Sequence, residues 1–251
     1  MAGRLCLTGV VRLEEGTRER ALHGDQPRLV LVRTALDAGH PVPADELALL
    51  LWPAASRHSD GALRGVVAKV RSFLGPAATL EGIGHCYRFR PVRATVDVEE
   101  AAGHLAAAET AATDRRWVAA AAEAHSAVAL LADSLLPGVD APWLLPWRAR
   151  LERRCTRARR VGALANSALG HHDDARDLAE AAIDPDPFDE RNHRVLMTVL
   201  LAGGNRSEAL RAYERLKRLL DDELGVGPDA ETRSVYERAI DGGTLPDLDV
   251  G

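Results

Sequence analysis

At Val96 the chain changes pattern, and that change limits what it can fold into more than any other feature. Before it, alternating β-branched stretches are interleaved with short amphipathic runs. After it come alanine-rich segments of helical spacing with no convincing strand. The 251 residues, 46% of them hydrophobic and 27% charged, suffice for two modest cores. We expect a mainly α protein of two domains. Residues 1–95 form an α+β head and residues 96–251 an all-α body.

In the head, residues 4–13 alternate and read as a strand or two, with Glu14-Glu15-Gly16 as a turn. Residues 26–38 carry an apolar stripe at Leu29, Val30, Val32 and Leu36 and stop at Gly39, the mark of a helix. A short helix over 45–51 ends at Trp52-Pro53. Residues 59–74 follow as a helix with two distinct faces. Leu63, Val66, Val67, Val70, Phe73 and Leu74 recur at helical spacing; Arg64, Ala68, Arg71 and Ser72 lie opposite, with Lys69 on the flank. Ser59 is its expected N-cap. The segment 82–91 reads as a basic hairpin that sets Arg88 and Arg90 on one strand face.

A helix that is apolar on one side, with cations and small residues on the other, fits a DNA major groove. Beside a basic hairpin it suggests a winged helix-turn-helix of the response-regulator type. The expected DNA-binding residues are Arg64, Ala68, Lys69, Arg71, Ser72, Arg88 and Arg90. Arg64 or Arg71 would read a base edge, and Arg88 and Arg90 would anchor phosphates. The pattern alone fits equally well a solvated amphipathic helix beside an ordinary hairpin. Charge favours the first reading. Residues 1–95 hold 13 Lys and Arg against 9 Asp and Glu, and residues 96–251 hold 19 against 28, so a head of +4 is joined to a body of −9.

The body reads as helices at about 98–112, 116–131, 143–169, 173–183, 190–201, 207–224 and 228–240, punctuated by glycines. Ala175-x3-Ala179-x2-Ala182 is echoed by Ala209-x3-Tyr213, an offset of 34 residues (209 − 175). That is the tetratricopeptide period, in which small residues let paired helices approach. Ala120-x3-Ala124 looks like an earlier copy. A plain helical bundle made alanine-rich by codon usage shares the composition, but period and helix-pair layout favour the repeat.

Together these residues resemble the Streptomyces antibiotic regulatory proteins, whose second half is the bacterial transcriptional activator domain. The resemblance covers nearly all of residues 4–241. It is carried by the run from Ala38 to Leu47, by Leu51-Trp52-Pro53 and by Lys69-Val70-Arg71. In the second half it is carried by Leu151-Glu152-Arg153, His193 to Met197, Glu208-Ala209-Leu210 with Tyr213, and Asp222-Glu223-Leu224-Gly225. It implies activation of secondary-metabolite genes, binding to direct repeats in double-stranded DNA near a promoter, and contact with RNA polymerase holoenzyme. A second copy of the chain on the DNA is a further expected partner. The family's wing carries Gly-Tyr where this chain has Cys86-Tyr87, which puts the wing tip in question. Larger members continue into a nucleotide-binding module; no GxxxxGK[ST] occurs here.

No enzyme signature emerges. His171-His172-Asp173-Asp174 is the one His and carboxylate cluster, and neighbouring side chains at a helix start diverge, so no catalytic residue, metal site or cofactor is expected. Trp143 and Trp147 are expected to pack the long helix. Cys6, Cys86 and Cys155 are too scattered for a metal or disulfide motif. No stretch reaches the length of a membrane span and the first residues lack a signal-peptide pattern, so no membrane partner and a cytoplasmic location are expected. The competing function is a tetratricopeptide-like interaction scaffold whose winged helix does not bind DNA.

Overall fold

The structure, a computed structural model, describes residues 3–53 and 60–241. The N-cap expected of Ser59 lies outside the described residues. The chain divides into two compact units, Met1–Glu100 with Leu130–Arg148, and Ala101–Ala129 with Ala149–Gly251.

The first unit opens with strands β1 (Gly3–Cys6), β2 (Arg12–Glu15) and β3 (Arg18–Ala21). Together with β7 (Ala94–Val96) they form a sheet in the order β3-β2-β1-β7. The first two pairings are antiparallel, and β1 runs parallel to β7. Glu14 and Glu15 belong to β2, so the turn expected at 14–16 is corrected to Gly16-Thr17. Gly16 sits at φ 63°, a conformation a glutamate would adopt only at a cost.

Helix α1 (Asp25–Leu36) follows, then the short strand β4 (Pro41–Pro43), α2 (Ala44–Leu51) and α3 (Asp60–Leu74). Strands β5 (Ala78–Ile83) and β6 (Cys86–Pro91) form the wing, with β4 completing a second sheet in the order β4-β6-β5. Val30, Leu31, Val32 and Ala35 of α1, Leu47 of α2, Leu63, Val67, Val70 and Leu74 of α3, and Phe89 of the wing make one core. The expected α1 stripe is thus displaced. Leu29 and Leu36 are half-buried, while Leu31, Thr34 and Ala35 are buried; α1 packs against α2, α3 and β6. Arg33 ties α1 to α2 through Glu46 at 2.7 Å.

Asp97 closes this unit. Its carboxylate accepts from the amides of Leu7 (2.8 Å) and Thr8 (3.0 Å), from the Thr8 hydroxyl (2.8 Å) and from the Val98 amide (2.8 Å). Burial pushes its pKa up, against those hydrogen bonds. The segment 130–148 adds a bridge from Thr8 to Leu135 and a hydrogen bond from the Gly9 amide to the Ser134 carbonyl, 2.9 Å. The long helix expected from Trp143 begins instead as a 3-10 turn, Pro142–Leu144, and becomes α-helical at Leu145.

The rest is helical: α4 (Asp97–Thr113), α5 (Trp117–Leu130), α6 (Leu145–Ala168), α7 (His172–Ile183), α8 (Glu190–Ala202), α9 (Arg206–Leu224) and α10 (Ala230–Asp241). In the second unit small residues set the packing. Ala120, Ala124, Ala175, Ala179, Ala182 and Ala209 are wholly buried. Ala175 and Ala209 join one cluster with Val195, Leu196 and Met197 of α8. Ala120 and Ala124 join another with Ala108 and Ala111 of α4 and Val161 and Ala165 of α6. Tyr213 stacks on Tyr236 with ring centroids 3.9 Å apart.

Candidate nucleic-acid interface

Helix α3 buries Leu63, Val66, Val67, Val70 and Leu74, half-buries Phe73, and leaves Arg64, Ala68, Lys69, Arg71 and Ser72 exposed. The two faces are those expected from the spacing. Gly65 belongs to the outer face, where a Cβ would meet nothing within 4 Å. Gly61 and Ala68 are exposed on the helix with it, as are Arg64 and Lys69.

The wing lies against the end of this helix. Arg71 donates from Nε to the Leu80 carbonyl at 2.8 Å, so one of its nitrogens is spent on holding β5 to α3. Strands β5 and β6 pair from Ala78 with Pro91 to Ile83 with Cys86, leaving Gly84 and His85 as a two-residue turn. Gly84 is at φ 57° and His85 is not in the left-handed region. That is the type II′ pattern, which matches the twist of a hairpin. It also answers the question posed by Cys86. The residue that needs a glycine is Gly84, and Cys86 is an ordinary half-buried strand residue paired with Ile83 and Pro43. The Ala44 amide donates to the His85 carbonyl at 2.8 Å and fixes the turn to the start of α2.

Arg88 and Arg90 do share a strand face, and a residue absent from the sequence expectation stands between them. Glu81, opposite Arg88 on β5, accepts from Arg88 Nη2 at 2.9 Å and lies 3.8 Å from Arg90 Nη1. Arg90 is exposed; Arg88 is half-buried, with a buried Nε that has no partner. The cross-strand pairing rule would have found Glu81 had the first strand of the hairpin been drawn from Ala78 instead of Gly82. The structure thus brings all seven expected residues into one unit. Arg64, Ala68, Lys69 and Ser72 are presented outward, Arg71 is held to the wing, and Arg88 and Arg90 are partly neutralised.

Among the described residues, His104 pairs with Glu123 at 2.6 Å, and the two neighbouring histidines at 171 and 172 face different partners. His171 lies 3.3 Å from the Asn166 amide oxygen, and His172 packs at Gly203. Among the described residues no three His, Cys, Asp or Glu side chains gather as a metal site, and no helix is long and apolar enough to cross a membrane. Cys6 and Cys155 are buried thiols, and burial pushes that of Cys6 up to about 12. Trp143 and Trp147 are half-buried.

Residues 96–239 match the family described as the bacterial transcriptional activator domain, more than half of the chain. The regulatory protein AfsR of Streptomyces griseus is 26% identical over 238 residues, 94% of this chain and 24% of that protein. The transcriptional regulatory protein EmbR of Mycobacterium tuberculosis is 26% identical over 223 residues, 85% of this chain and 57% of that protein. A solved structure of M. tuberculosis EmbR in complex with a low affinity phosphopeptide superposes with a TM-score of 0.85 at 22% identity. It covers 98% of this chain and 66% of that one. The fold is therefore a winged helix followed by a helical body. The chain spans about a quarter of the length of AfsR and 57% of EmbR. With residues 96–239 matched, more than half of its length, the chain belongs to the bacterial transcriptional activator domain family.

Proposed function

We propose that this chain is a sequence-specific DNA-binding activator of transcription, with the DNA-binding part in residues 1–95 and the activating part in residues 96–251. The observation that carries this reading is the outer face of α3, small at Gly61, Gly65 and Ala68 and cationic at Arg64 and Lys69. Such a face lets a helix enter a major groove and hold its arginine against a guanine edge. The wing arginines then track the backbone. The targets are direct repeats near promoters of a secondary-metabolite gene cluster. The helical half, with tetratricopeptide-like pairing around Ala175 and Ala209, meets RNA polymerase holoenzyme or a second copy on the repeat. The setting is the cytoplasm.

A second reading has one observation in its favour. Arg71, Arg88 and Arg90 all have protein partners already, as they would in a scaffold whose winged helix meets protein. A gel shift of the full chain over a range of salt decides between the two. DNA binding must weaken steeply as salt rises, because released counterions supply the affinity, and footprinting must then find a repeated site. A chain that shifts no duplex at low salt is the scaffold. Run-off transcription from the footprinted promoter tests the activating role.

A further inference from the structure

We propose that a cavity in the helical half, lined by α5, α6 and α7, binds a small organic cation with an apolar body. All of its lining belongs to the second unit, and the inference is independent of the DNA-binding reading above.

The cavity measures about 480 Å³, inside the roughly 300–1,000 Å³ of sites that take small molecules. Its floor is made by the buried Ala124 of α5 and by the buried Ala158 and Gly162 of α6. A Cβ at Gly162 would lie 3.1 Å from Leu178 Cδ1 and 3.4 Å from Ala124 Cβ. The glycine therefore lets the half-buried Leu178 of α7 close in as a wall over a floor of minimal side chains. The mouth is polar. Asp174 and Asp177 of α7 line it, both exposed, three residues apart and so on one helix face. Neither forms an ion pair among the described residues. Arg176, between them in sequence, is held by Glu180 at 2.9 Å and by Glu208 at 2.8 Å. Asn166 donates its side-chain N–H to the Gly162 carbonyl at 2.8 Å, which leaves it an acceptor oxygen to offer. No arginine or lysine lines the cavity among the described residues.

An apolar floor beneath two unpaired carboxylates is complementary to a molecule with a hydrocarbon body and an ammonium or guanidinium end. The floor removes the body from water. The carboxylates meet the cation at the exposed mouth, where it keeps part of its hydration and avoids the penalty of deep burial. A neutral ligand gains the floor alone, and an anion meets two like charges with no basic partner. A basic segment of another protein would bring the charge on a thin alkyl stem. Such a stem leaves much of the cavity unfilled, and lining atoms without partners forfeit their dispersion contacts. A compact aromatic or branched body fills the space, so a small molecule is favoured over a protein segment.

The test uses the full chain without DNA and three probes that share one body: phenylbutylamine, phenylbutanol and phenylbutyrate. Their affinities are measured by NMR titration at low salt. The amine is expected to bind about three- to tenfold more tightly than the alcohol, the effect of two exposed charge pairs, and phenylbutyrate most weakly. D174N/D177N should bring the amine down to the level of the alcohol and leave the alcohol unchanged. D221N/D222N, which removes equal charge from exposed positions on α9, should change neither. Ala121→Leu, at a half-buried lining position, fills the cavity and should weaken amine and alcohol alike. Circular dichroism verifies folding. In the wild type, nuclear Overhauser effects from the probe's ring to the methyl groups of Leu178 and Val128, both of which line the cavity, hold even if a variant fails to fold. Equal affinity of the three probes, an equal effect of the two asparagine variants, or no contact with those methyl groups overturns the proposal. A lysine-rich peptide that binds the wild type but not D174N/D177N, where phenylbutylamine binds neither, assigns the mouth to a basic protein segment and also overturns it. Because no DNA is present, each of these outcomes leaves the winged-helix reading to its own gel shift.

Discussion

At the scale of single residues, the proposed interface separates side chains presented to solvent from side chains held by the fold. Arg64 stands on the open face of α3, whereas Arg71 spends its Nε on the Leu80 carbonyl. Of the two, Arg64 is the one we propose as the base reader. Arg64→Ala is expected to relax preference at one base pair by about 1–3 kcal/mol, measured by competition among duplexes that differ at single positions. Arg88→Ala and Arg90→Ala should instead weaken all sequences about equally. Glu81 carries the more diagnostic expectation. Its carboxylate offsets part of the charge of the two wing arginines, so Glu81→Gln should raise affinity for mixed-sequence DNA and steepen its salt slope by up to about one. An unchanged slope would mean that the wing arginines face no phosphate. The outward residues of α3 were legible because helical period alone separates its two faces. Glu81 was not, because its partner Arg88 is close only through strand pairing, and Gly82, read as the start of the hairpin, lies inside β5.

At the scale of elements, two joints carry more than their neighbours. Asp97 joins the end of β1 to the start of α4 by accepting four hydrogen bonds. Asp97→Ala orphans buried donors at Leu7 and Thr8, and should cost about 1–3 kcal/mol or more in denaturant unfolding. Its pH dependence has a definite sign. Burial raises the folded-state pKa above 3.8, so the folded state holds the proton more tightly than the unfolded one. The stabilisation linked to that proton is complete below 3.8 and is lost as pH rises through the raised value. The stability of wild type relative to Asp97→Asn should therefore fall across that window, a trend opposite to that of a salt-bridged carboxylate. In the second unit, Ala209 is wholly buried. Ala209→Leu forces the helices around it apart, with an expected loss of about 1–3 kcal/mol by overpacking, read as a lower melting temperature. Ala175, one period earlier, should behave alike. These alanines were legible from their period. The short strands were harder: β4 is two prolines around a valine, and β7 has only three residues. Neither is long enough to show alternation, and both exist because a partner strand supplies their hydrogen bonds.

At the scale of the whole molecule, the first unit is discontinuous in sequence. β7 pairs with β1, Asp97 clamps Leu7 and Thr8, and residues 130–148 return to the same unit. No periodicity in 130–148 announces this. Its links to the head are one bridge and a few hydrogen bonds formed across more than a hundred residues, as from Thr8 to Leu135. A chain ending at Arg93 lacks all three elements, and is expected to melt well below the first unit of the intact protein by circular dichroism. Equal melting would show that 130–148 adds nothing to the head. The same discontinuity sets a timetable for synthesis. The winged helix has left the ribosome's decoding centre once Val96 is added, but its last segment is not made until Arg148, 52 residues later (148 − 96). At about 5–20 residues per second this leaves roughly 3–10 s in which a nascent head must wait for its closing strap. During that interval the strand edge at Thr8 and Gly9 is open to chaperones and to neighbouring chains on the same message.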